Sequence, residues 1–320
     1  MPTSPNHQLE RALNMKKLIS ICIVIALAAA GLTPAAQAAT PKTLVIIDSG
    51  IAADLPWVQQ MLVDEACFIE YGKCPNGLSS MFGKGAASLD VARIKSRSFS
   101  HGTQMASVVY EIDPTTKLVM IRIVGMSDKG FANSYTTRAV SRALDWVNEN
   151  AERLNVGAVS LSVGRAYKEV SCPIESELQT QVRNLLNRNI PVIAASGNGS
   201  NRLKVDYPAC VPEVIAVGAT DRRYTLRAIQ GWVYPIMLIS NQGPDLDLYA
   251  LGRYTTTDAF GEKSVSIGTS SATAAFSTYV VKQLNLGLNY VDVMTQVRSS
   301  LVNAYRTVTD FLPLHFEIVG

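Results

Sequence analysis

The stretch TLVIIDSGI, residues 43–51, decides the fold. Its first five residues favour a strand and show no polar alternation, the pattern of a strand buried on both faces, and the run then meets a carboxylate at Asp48. Four segments repeat that character: LVMIRIVG (118–125), VGAVSLSVG (156–164), PVIAASGN (191–198) and EVIAVGATD (213–221). Between them, 134–155 sets Ala139, Ala143, Leu144 and Val147 at helical spacing, and 175–189 does so with Leu178, Val182, Leu185 and Leu186. Strand–helix–strand repetition predicts an α/β fold: three layers, with a mostly parallel twisted sheet and helices on both faces. Sites in such sheets lie beyond the carboxyl ends of the strands, which directs attention to Asp48, Ser162 and Asn198.

The N-terminus reads differently. From Met15, a second candidate start, Lys16 and Lys17 precede the apolar run Leu18 to Leu32, and Ala36-Gln37-Ala38 follows. A basic start, an apolar run short of the roughly 20 residues a span needs, and an A-x-A site predict a Sec-type signal peptide over 1–38. The expectation is a secreted or periplasmic protein, off the membrane after cleavage, with one domain over 39–320 and a short tail from about 306. Nine residues separate that cleavage point from Asp48, so no N-terminal pro-domain is expected. The formal charge of +3 falls close to neutrality once residues 1–38 are removed, which gives no electrostatic case for nucleic acid. Four cysteines remain after cleavage: Cys67, Cys74, Cys172 and Cys210. An even number in an exported chain suggests two disulfides. Cys67 and Cys74 bracket a turn-rich loop and form the natural local pair, which leaves Cys172 for Cys210; by sequence alone three pairings stay open. No C-x₂₋₄-C spacing supports a zinc site.

Two histidines remain after residue 38. His315 lies in an apolar tail, whereas His101 stands in SHGTQMAS (100–107), where a loop runs into a helical pattern. An imidazole at a helix mouth beside Gly102 is accessible, as a proton shuttle must be. A second small-residue helix is announced by GTSSATA (268–274), with adjacent serines at 270 and 271. Taken in order, VIIDSGI (45–51), SHGTQMAS, IAASGNGS (193–200) and GTSSATA resemble the aspartate, histidine, oxyanion and serine segments of the subtilisin-like serine peptidases, the subtilase family. The resemblance continues through YPACVPEVIAVGATD (207–221), SNQGPDLDLYALG (240–252) and TQVRSSL (295–301), and so covers most of 43 to about 305.

That resemblance implies a serine endopeptidase in which Ser270 attacks, His101 takes its proton, Asp48 holds the imidazole and Asn198 donates to the oxyanion. Ser271, about 100° further round the helix, is expected to pack. An extended peptide substrate would pair with 130–133 (GFAN), through Gly130 and Ala132, and with 162–164 (SVG), through Ser162 and Gly164. Ser196 and Gly197 would wall the pocket for the residue before the scissile bond (P1). Asp206 would form its floor and favour Lys or Arg there; the alternative turns Asp206 outward to Arg202 or Lys204. The resemblance also implies a cis Tyr207–Pro208 bond. The family's calcium loop has no room between the histidine helix and the next strand, in 108–124, so no metal and no cofactor are expected. A monomer is expected. The competing readings are a non-proteolytic subtilase-like peptide-binding protein, and an SGNH-type esterase using Ser49, Asn198 and His315.

Overall fold

The computed structural model describes residues 40–307, apart from 96, 169–170, 174–175, 224–225, 229–230 and 234. The expected signal segment, His315 and residues 308–320 lie outside them. Strand β1 (Thr43–Asp48) is fully buried and pairs in parallel with β4 (Lys117–Arg122) on one side and β5 (Val156–Leu161) on the other. Beyond β5 the parallel sheet continues through β6 (Val192–Ala195), β7 (Ile215–Thr220) and β10 (Leu248–Leu251). Beyond β4 lie β2 (Leu62–Phe68), also parallel, and the antiparallel edge strand β3 (Ser80–Phe82). Among the described residues the sheet order is β10-β7-β6-β5-β1-β4-β2-β3.

Successive side chains of β1 leave on opposite faces and feed two cores. Val45 and Ile47 pack with helices α3 (Thr137–Asn150) and α4 (Ser176–Leu186). Leu44 and Ile46 pack with α1 (Pro56–Met61), α2 (His101–Ile112), α5 (Thr269–Asn285) and α6 (Tyr290–Thr307). The three predicted layers are therefore present. Alanines 272, 274 and 275 are wholly buried and let α5 lie close against the sheet.

The strands stop sooner than the apolar runs that announce them. β4, β5 and β6 end at Arg122, Leu161 and Ala195, so 162–164 and 196–198 leave the sheet as loops at its carboxyl edge. The sequence reading does not anticipate β2, whose first three residues (LVD) are only partly buried, the antiparallel pair β8 (Leu226–Ala228) and β9 (Gly231–Val233), or the hairpin of β11 (Arg253–Thr257) and β12 (Lys263–Ile267). The serine-rich run is thereby divided: 263–267 is a strand, Gly268 turns the chain, and the helix begins at Thr269.

Both disulfides pair as expected, Cys67 with Cys74 and Cys172 with Cys210, at sequence separations of 7 and 38. The Tyr207–Pro208 bond is cis. Among the described residues no helix is long and apolar enough to cross a membrane.

Candidate active site

Strands β6, β5 and β1 are neighbours in the sheet; the loops leaving the first two carry Asn198 and Ser162, and Asp48 ends the third. Asp48 is the last residue of β1 and is 1% exposed. One carboxylate oxygen accepts the Ser49 amide at 2.6 Å. Both oxygens accept from Nδ1 of His101, at 2.8 and 2.9 Å. A carboxylate on Nδ1 fixes the proton there and leaves Nε2 with its lone pair free, the tautomer a general base needs. His101 is the first residue of α2, and its side chain keeps 33% exposure. Burial pulls the imidazolium pKa down, but the Asp48 charge and hydrogen bond outweigh it and leave the value raised above 6.5.

The start of α2 is pinned to the loop after β1. The Ser49 hydroxyl donates to the Phe99 carbonyl at 3.1 Å and accepts the Gly102 amide at 3.0 Å. Thr103 Oγ1 accepts the Ala52 amide at 3.0 Å. Ser49 is 3% exposed with both roles of its hydroxyl engaged, so it holds the base in place and is unsuited to attack, against the esterase expectation.

Ser270 is the second residue of α5, whose first-turn amides have no carbonyl one turn back. It is half-buried, while Ser271 is wholly buried with its hydroxyl 2.7 Å from that of Ser266. Of the two adjacent serines only Ser270 reaches the cleft. Its hydroxyl donates to the Ser162 carbonyl at 3.1 Å, and the Ser162 hydroxyl donates back to the Ser270 carbonyl at 3.0 Å. Among the described residues no hydrogen bond joins Ser270 to His101.

Asn198 is exposed, and its side-chain oxygen accepts the Thr269 amide at 3.0 Å and the Thr269 hydroxyl at 3.2 Å. A backbone N–H can only donate, so the oxygen is assigned by chemistry and the amide NH₂ is left to face the cleft. Gly268 makes this approach possible. Its φ is +130°, and a Cβ there would lie 2.7 Å from the Asn198 oxygen. Thr269 is thus a positioning residue that the motif contains but sequence reasoning did not single out.

Asp206 is turned inward. Its carboxylate accepts Asn241 Nδ2 at 3.0 Å, and a Cβ on Gly197 (φ +102°) would lie 2.2 Å from its other oxygen. A Cβ on Gly164 would lie 3.5 Å from its Cβ. The side chain therefore sits between the two expected walls. The outward alternative is not found: Lys204 donates to the Tyr167 carbonyl at 2.8 Å and lies over its ring, and no ion pair joins Asp206 to Arg202 or Lys204 among the described residues. Burial raises the Asp206 pKa, with the Asn241 hydrogen bond and the Lys204 charge opposing. Ser196 is wholly buried and donates to the Asn241 carbonyl at 3.0 Å. Asn241, which carries no sequence signal of its own, also accepts the Gly199 and Asn201 amides at 2.9 Å, and so ties the Asn198 loop to Asp206.

The two proposed peptide edges differ. Gly130 has its amide on Ser127 and its carbonyl on the Lys95 amide, so its N–H is not open to a peptide. Ala132 bridges Met126 in an antiparallel pair whose hydrogen bonds run through the flanking residues, from Ser127 to Phe131 and from Asn133 to Gly125. In such a pair the N–H and C=O of Ala132 itself face away from Met126, toward an open edge.

The chain is 25% identical over 219 residues to a cuticle-degrading serine protease of Arthrobotrys oligospora, a match covering 65% of this chain and 47% of that protein. It is 26% identical over 212 residues to subtilisin Savinase of Lederbergia lenta, covering 62% and 69%. With an extracellular serine proteinase of a Thermus strain it shares 28% over 211 residues, covering 63% and 45%. It thus spans about half the length of two of these three relatives. Two solved structures share its fold: S41 psychrophilic protease, with a TM-score of 0.63 at 17% identity over 82% of this chain and 83% of that one, and a cold-adapted subtilisin-like serine proteinase, with 0.60 at 20% over 87% and 89%. The model of the subtilase family matches residues 42–315, which takes in the aspartate, histidine and serine segments in their order along the chain, and the chain therefore belongs to that family.

Proposed function

We propose that the protein is an exported serine endopeptidase working through Asp48, His101 and Ser270, with Asn198 as oxyanion donor. The observation that carries this reading is the buried Asp48 carboxylate on Nδ1 of a half-open His101. Nε2 takes the Ser270 proton once the hydroxyl turns from Ser162, and the serine adds to the peptide carbonyl. Negative charge then develops on the carbonyl oxygen, against the Asn198 amide and the first-turn N–H of Ser270. Protonated His101, steadied by Asp48, returns the proton to the leaving amine, and water repeats the sequence to release the acid. Export is supported by residues 15–38 and by the extracellular character of the Thermus relative.

Replacing Asn198 by alanine is expected to lower kcat by about 10²–10³ with KM little changed, because the donor acts on charge absent from the ground state; the magnitude is carried over from subtilisin. Steady-state kinetics on one peptide series check it.

The inward carboxylate of Asp206 supports a preference for Lys or Arg at P1. A peptide library read by mass spectrometry tests activity and preference together. Internal cleavage concentrated after Lys and Arg is expected, with the preference lost in Asp206→Ser. It should also fade on acidification, over a window shifted above the ordinary carboxylate range because burial raises this group. An untouched library contradicts the endopeptidase reading; equal cleavage after Phe and Lys removes the P1 preference.

A further inference from the structure

The structure assigns a further positioning residue, Tyr135, whose hydroxyl occupies a backbone acceptor that an extended peptide must take; the assignment rests on the endopeptidase reading above. In an extended segment the carbonyls of residues i and i+2 point the same way. In 162–164 those carbonyls belong to Ser162 and Gly164, and both are occupied by hydroxyls of the protein itself. Ser270 donates to the first at 3.1 Å, and Tyr135 donates to the second at 2.6 Å. Ser270 marks the register. A peptide with its scissile carbonyl at Ser270 and running antiparallel to 162–164 brings the P1 N–H to Ser162 and the P3 N–H, two residues earlier, to Gly164.

Tyr135 reaches Gly164 from the opposite wall of the groove. It follows the 126–132 bridge and directly precedes Thr136, which caps α3 by accepting the Ala139 amide. Asn133 is anchored to Gly125 and Thr136 to its helix, so only Ser134 and Tyr135 separate two fixed points. The hydroxyl therefore spans the groove between Ala132 and Gly164. Burial, with the negative charges of Asp48 and Asp206, raises the phenol pKa, so the group stays a donor through the neutral range. A P3 N–H reaching the Gly164 carbonyl from the groove competes with it, and the P1 N–H competes with the Ser270 hydroxyl at Ser162, whose release leaves that hydroxyl to His101. The competition bears only on peptides with at least three residues before the scissile bond and a free N–H at P3. Proline or an N-methylated residue there cannot make the exchange.

Tyr135→Phe keeps the ring and removes only the hydroxyl. Against a tetrapeptide amide carrying a P3 N–H, KM is expected to fall about fivefold, the worth of one neutral hydrogen bond no longer in competition, with kcat unchanged. Against the same peptide N-methylated at P3, and against a substrate with P1 alone, wild type and variant are expected to give equal KM values. An unchanged or increased KM for the N–H peptide, with wild type active, overturns the assignment and leaves the endopeptidase reading intact. A KM drop of the same size on the N-methylated peptide also overturns it, since the hydroxyl then acts by bulk. Failure of wild type to cleave any of the three overturns the endopeptidase reading and this one with it.

Discussion

Replacing Ser270 by alanine is expected to reduce kcat on a peptide substrate by about 10⁶, a magnitude carried over from the same exchange in subtilisin. The loss is large because no neighbouring group can substitute. Ser271 is wholly buried against Ser266, and Ser49 has its hydroxyl committed to Phe99 and Gly102. The fold should survive, since the Ser270 hydroxyl makes one hydrogen bond at the cleft and the reciprocal bond from Ser162 goes to its backbone carbonyl. Single-turnover measurement beside a thermal melt separates the two effects: kcat collapses and Tm barely moves.

Asp48→Asn is expected to cost about 10⁴ in kcat near neutral pH, because an amide donating to the imidazole favours the tautomer whose lone pair faces away from the serine. The pH profile carries a second signature. Activity needs neutral His101, whose pKa is raised because Asp48 outweighs burial, so the wild-type acid limb lies above the ordinary imidazole value of 6.5. Removing the carboxylate leaves burial in charge, and the limb of the residual activity moves to lower pH. Stability follows the same linkage with its own sign. The stability gained from binding a proton at His101 is full below about pH 6.5 and is lost as the pH rises through the raised folded value. In Asp48→Asn that gain disappears, and chemical denaturation at pH 5 and pH 9 measures it.

The central strands were legible because burial on both faces leaves uninterrupted apolar runs: TLVIID needs no partner to be recognised. Asp48, His101, Asn198 and Ser270 were legible for another reason, since each stands in a short motif at a strand end or helix mouth. The rest depends on contacts distant in sequence. Asn241 organises the Asn198 loop from more than forty positions away, and nothing in SNQGPDLD announces that its side chain will hold Gly199, Asn201 and Asp206 at once. Which way Asp206 turns depends on the space beside Gly197 and on the Asn241 amide, 35 positions on. The Gly130 amide is taken by Ser127 and its carbonyl by the Lys95 amide, neither of which carries a motif. β2 is hard to read because it lies next to the edge strand, its first three residues are only partly buried, and Asp64 and Glu65 interrupt its apolar run.

The central claim is that one serine among several is the nucleophile. A fluorophosphonate probe forms a covalent bond only with an activated serine. Its attachment site, read by peptide mass mapping on wild type, Ser270→Ala and Ser49→Ala, tests that claim most directly. The account predicts a single adduct on Ser270 in wild type and in Ser49→Ala, and none in Ser270→Ala. Labelling that persists in Ser270→Ala, or no labelling of the folded wild-type protein, would contradict it.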